Sequence, residues 1–155
     1  MRAYAIALCA ALLLVAFDIL SAPALFLRAG GDTIVLVRQI RGEAPLTIRF
    51  IHSVQKTPVE EFLTVRADGR FHLTGTRYRS HGVGLPFLAE EGAFRQEGDW
   101  FVLDMDRSYD ELSLRTGVGT ELTVEAGGRV LPLYEMYPPG TRIDLAAAPL
   151  YTYFF

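Results

Sequence analysis

The chain has 155 residues, of which 50% are hydrophobic, 12% aromatic and 21% charged. That is enough for one domain with a real core, and it excludes a disordered tail. A net charge of -3 and a pI near 5.6 give no basic footprint for nucleic acid, so no nucleic-acid partner is expected. The one cysteine, Cys9, lies in an apolar N-terminal stretch, which excludes a disulfide framework or a cysteine metal cage in the folded part.

After Arg2, residues 3–17 carry no charge and consist mainly of Ala, Leu, Ile and Val. This is an export signal or a membrane anchor. Continuation past Asp18 through Ile19, Leu20 and residues 22–27 lengthens the apolar stretch to about 25 residues, enough to span a bilayer. Against an anchor, Ala22-Pro23-Ala24 offers small residues at the two positions a signal peptidase inspects, and Pro23 interrupts a helix there. Both readings send the body across the inner membrane with Arg2 held inside. The expected organisation is a signal peptide or anchor over 1–28 and a β-rich domain over 32–155, in the periplasm or outside the cell.

From Thr33 onward, short β-branched and aromatic runs alternate with Gly, Pro and Asp clusters, which is the pattern of strands and turns. The predicted strands are 33–40, 46–53, 59–66, 71–80, 100–105, 112–116, 121–126 and 129–134. Ala67-Asp68-Gly69-Arg70 and Ala126-Gly127-Gly128-Arg129 suit tight hairpins, with Gly supplying positive φ. No amphipathic helix interrupts the body, so parallel βαβ units are not expected. The expected fold is all-β: an antiparallel β-sandwich or partly closed barrel behind an N-terminal apolar helix. The aromatic tail over 146–155 is expected to pack on the sheet, rest at the membrane interface or contact an apolar partner.

Period-two reading places Leu46, Ile48, Phe50 and His52 on a core-facing side, with His52 at the edge where the strand ends. Two segments concentrate polar side chains at strand ends: residues 50–60, containing His52-Ser53-Val54 and Thr57-Pro58-Val59-Glu60, and residues 78–86, containing Ser80, His81 and Gly82-Val83-Gly84-Leu85-Pro86. Both segments fall at the same end of an antiparallel meander, because one hairpin separates them. The candidate binding residues are therefore His52, Ser53, Thr57, Glu60, Ser80 and His81.

Together these segments resemble the bacterial family catalogued as domain of unknown function 1850, whose members read "HSV, two residues, TPVE" followed by a "GxGLP" turn. His81 departs from that pattern, which has an aromatic before the Gly turn. The family has no established activity, so the resemblance supplies no catalytic residue. Its genes are typically found beside those of tripartite periplasmic transporters that use a TAXI-type solute receptor. The resemblance thus implies an exported or membrane-anchored accessory, with the transporter's membrane subunits or its solute receptor as partners.

Two other functions compete with that expectation. One is a small-ligand-binding β module built by the two polar segments. The other is a hydrolase using His52, Ser53 and Glu60, although neighbouring strand residues point oppositely and no nucleophile-elbow sequence is present. The bland reading of the same loop has His52, Ser53 and Thr57 bonding its backbone while Glu60 takes up a nearby positive charge. His52, His72 and His81 match no short metal motif, and the carboxylates over 104–111 lack the marks of a calcium loop, so no metal or other cofactor is expected.

Overall fold

The computed structural model describes residues 2–79 and 93–154. Among the described residues, helix α1 (Arg2–Ser21) is followed by two antiparallel sheets and no closed barrel, in line with the all-β expectation. The smaller sheet contains β1 (Pro23–Ala29), β2 (Asp32–Val37), β8 (Leu112–Arg115) and β11 (Arg142–Pro149), in the order β2-β1-β11-β8. The larger contains β3 (Glu43–Ile51), β4 (Pro58–Arg66), β5 (Phe71–Tyr78), β6 (Ala93–Glu97), β7 (Trp100–Tyr109), β9 (Thr123–Ala126) and β10 (Arg129–Pro132), in the order β10-β9-β3-β4-β5-β7-β6.

The 20 residues of α1 rise about 30 Å, the thickness of a bilayer's hydrocarbon core. None of them is buried in the protein, and mean hydropathy reaches 2.4, as in a signal sequence or membrane anchor. The sequence reading carried this apolar stretch through Leu27. The chain instead leaves the helix at Ser21, and Pro23 already opens β1 between β2 and β11. The folded body therefore starts at Pro23 rather than Asp32. Ala24, Leu25, Phe26 and Leu27 are completely buried, which explains why β1 reads as apolar on both faces.

One core joins the sheets. Leu25, Leu27, Leu36, Ile143 and Leu145 of the smaller sheet meet Leu46, Ile48, Leu63, Val65, Leu103 and Val124 of the larger. In β5, Phe71 and Leu73 point into this core, but an irregularity beside Thr74 in the pairing with both β4 and β7 shifts the register. Beyond it Thr76 and Tyr78 face inward, so the strand changes its buried set partway along, as an extra residue in a ladder requires. Past β10 the reading to residue 134 as strand gives way to a one-turn helix, α2 (Leu133–Met136). Pro132 ends the ladder because it has no N–H to donate.

Candidate functional site

The β3–β4 connection is organised around His52, which is 9% exposed. The His52 N–H donates to the Thr57 carbonyl and the Lys56 N–H donates to the His52 carbonyl, both at 2.9 Å. Its Nδ1 accepts the N–H groups of Val54 at 3.3 Å and Gln55 at 3.1 Å, which assigns the ring proton of the neutral imidazole to Nε2. The closure needs a left-handed residue, and Lys56 takes that conformation at φ 54°. Ile51 ties the base of the loop to the segment leading into β9, the neighbouring strand of the same sheet, by donating to the Thr120 carbonyl at 2.6 Å.

His52 thus bonds its own loop, as the bland reading holds. Ser53 is exposed, and the Thr57 hydroxyl meets no hydrogen-bond partner among the described residues, which corrects the expected side-chain bond from Thr57. His52→Ala leaves two backbone N–H groups without their acceptor and should cost about 1–2 kcal/mol in urea unfolding. His52→Asn, whose carbonyl oxygen also accepts from the backbone two residues on, should recover part of that loss.

Glu60 stands elsewhere, on the outer face of β4. Its carboxylate accepts from Arg77 Nε at 3.1 Å and Nη2 at 2.8 Å, and Arg49 Nε lies 3.7 Å away. The band continues from Arg49 to Glu125 at 2.5 Å and from Arg77 onto Trp100, whose ring centre is 4.7 Å from that guanidinium and 4.8 Å from that of Arg79. Cross-strand register produces this line, since Arg49 lies opposite Glu60 and Glu60 opposite Arg77. Glu60 does take up positive charge, but no hydrogen bond joins it to His52 or Ser53. Tyr78, the last residue of β5, pairs with Val59 beside the His52 loop. Ser80, His81 and the turn over 82–86 lie outside the described residues, so the distance between His52 and His81 does too.

The sequence reading passed over Glu61. It shares the inward face of β4 with Val59, Leu63 and Val65, and it lines a cavity of about 260 Å³ between the sheets with Ile48, Phe50, Leu114, Arg115, Thr120 and Leu122. Burial pushes its carboxyl above the ordinary carboxylate range. Among the described residues no donor meets it. The Thr76 hydroxyl, opposite on β5, donates to the Glu60 carbonyl, and the Thr120 hydroxyl is engaged with the Gly117 backbone.

That raised value has a definite sign in stability. The unfolded chain releases the Glu61 proton near its ordinary 4.5 and the folded chain at higher pH, so between the two the folded state holds more protons. The stability that this group contributes is therefore complete below 4.5 and is lost as pH rises through the folded value. Glu61→Gln should remove this decline and be about 1 kcal/mol more stable at neutral pH, read from the wild-type-minus-variant difference in unfolding free energy across pH.

Among the described residues no group of three or more His, Cys, Asp or Glu is placed to hold a metal ion. His72 lies near Ser108 and Asp106 on β7, far along the sheet from the His52 loop. No curated protein and no solved structure matches the chain. The profile of the domain of unknown function DUF1850 matches residues 46–133, which run from Leu46 in β3 to Leu133 just past β10 and leave β1, β2 and β11 outside. That match covers more than half of the 155 residues, and the chain belongs to the DUF1850 family.

Proposed function

We propose that the chain is an exported accessory that keeps α1 as its inner-membrane anchor and acts by binding, without catalysis, beside a tripartite TAXI-type solute transporter. The observation that carries the anchoring is the junction between helix and sheet, where Ala22 alone separates Ser21 from Pro23. Ala22 is itself built into the fold, because its carbonyl accepts from Leu150 N at 2.9 Å and the Pro23 carbonyl accepts from Ile40 N at 2.7 Å. Cleavage after Ala24 removes these acceptors together with a completely buried residue of β1. Retention leaves the sandwich intact.

A domain attached this way rests on the membrane surface. The turn over Leu150–Tyr153 lies against α1, and Tyr151, Tyr153 and Phe154 are exposed there, in keeping with an interfacial aromatic belt. Arg38 and Arg129 line a groove beside these aromatics, suitably charged for the headgroup region. The transporter association rests on the family's gene neighbourhoods, and the Glu60–Arg77–Trp100 band offers the Arg and Trp side chains that dominate protein interfaces.

Mass spectrometry of the native protein extracted from membranes in mild detergent tests both parts. The expected species retains residues 2–21 and co-purifies with transporter membrane subunits or the solute receptor. A soluble species beginning at Leu25 overturns the anchor. An anchored species free of transporter proteins overturns the accessory role.

A further inference from the structure

We propose that the cavity between the sheets is a binding site for a small organic ammonium ion carrying a short hydrocarbon body, with Glu61 as its counter-charge. The donor and acceptor accounting leads to this class of ligand. Of the polar side chains on the wall, Thr120 is engaged with Gly117, and Arg115 is an exposed rim residue whose Nη1 donates to the Gly140 carbonyl at 2.6 Å. Glu61 remains, partly buried and without a partner among the described residues, among the apolar walls of Ile48, Phe50, Leu114 and Leu122.

A partly desolvated carboxylate is costly unless a donor or cation reaches it, and no hydrogen bond or ion pair joins Glu61 to another of the described residues. An ammonium group supplies both the charge and the hydrogen bonds, while a hydrocarbon body suits the surrounding walls and the Phe50 ring adds attraction for a cation. A resident metal ion is a poor fit, because hard cations require several oxygen ligands and the cavity presents one carboxylate. A volume of about 260 Å³ equals the share of about nine liquid waters, which limits the ligand to the size of a simple amine.

The cavity also lies near the polar end of the larger sheet. Phe50 is two residues from His52, and Thr120, on the cavity wall, accepts from Ile51 at the base of that loop. Occupancy is therefore positioned to tighten the contact between the His52 loop and the segment after β8. This proposal is independent of the transporter association, since it concerns only what the cavity holds.

The test is thermal melting and titration calorimetry on the full-length chain in neutral detergent, with n-butylammonium, n-butanol and n-butyrate as probes of equal carbon skeleton. The expected result is a saturable rise in melting temperature with n-butylammonium alone. Glu61→Gln, which keeps the cavity and the fold, should weaken that binding at least about tenfold, the loss of one charge-assisted contact. Leu114→Trp, which fills the cavity, should abolish it. Equal binding of n-butylammonium by wild type and Glu61→Gln overturns the proposal, as does preference for n-butyrate, equal response to all three probes, or no response to any.

Discussion

A chain begun at Ala22 is expected to fold, and a chain begun at Asp32 is not. Strand β1 is the second strand of the smaller sheet and pairs over its whole length with β11 on one side and from Leu25 to Ala29 with β2 on the other. Leu25 and Leu27 enter the shared core, while Phe26 is covered on the opposite face by Tyr153, whose ring lies parallel to it at 6.4 Å. Losing these three side chains at about 1.5–3 kcal/mol each removes an amount comparable with the entire 5–15 kcal/mol by which domains are stable. It also strips β2 and β11 of their ladder partner. Circular dichroism and amide dispersion on the two purified truncations decide the matter, since a cooperative, native-like unfolding transition in the Asp32 truncation would make β1 dispensable to the fold.

That boundary was the hardest feature to read from sequence, for a physical reason. A strand buried on both faces shows no period-two alternation, and when it directly follows an apolar helix the two apolar runs merge. The punctuation was present. Pro23 is suited to opening a strand, and Ala29-Gly30-Gly31-Asp32 is a two-glycine hairpin turn, with φ of 58° and 92° at its glycines. The second half of β11, residues 146–149, falls in the stretch that reads as an aromatic tail, and Ala146, Ala147 and Ala148 are weak strand formers. Their small size has a purpose in the register, where Ala146 lies opposite Phe26 and Ala147 opposite Leu25. The strands of the larger sheet were legible because one face is core and the other wet, so Leu46, Ile48 and Phe50 alternate with Thr47, Arg49 and Ile51.

The same contrast holds for the site. His52 stood out as a polar residue at the end of a core-facing row, and it does organise its loop. Glu60 stood out through its motif, yet its role depends on Arg49 and Arg77, which only strand register brings to it. Glu61 was masked by its acidic neighbour. Counting by twos along Val59, Glu61, Leu63 and Val65 puts a carboxylate in the core row, and that parity is the signal that finds it.

Gly127→Ala is expected to destabilise the domain by about 2–4 kcal/mol. Gly127 and Gly128 form the turn between β9 and β10 and both have positive φ, 58° and 73°. At Gly127 a Cβ collides with the Leu36 carbonyl oxygen and meets Val37 Cγ2 at 3.2 Å, whereas at Gly128 nothing lies within 4 Å. Conformational strain alone costs an alanine about 1–2 kcal/mol at either site. The excess at Gly127 comes from a backbone atom of β2 that has to move, and β2 is the edge strand of the other sheet. The turn is also where Arg129 Nη1 donates to the Val35 carbonyl at 3.0 Å, so displacement opens the seam joining the sheet edges. Gly128→Ala, one residue away, carries the strain without the contact. Urea unfolding of both variants should therefore show Gly127→Ala the weaker by about 2 kcal/mol, and equal losses would mean that the close approach of this turn to β2 contributes nothing to holding the two sheets together.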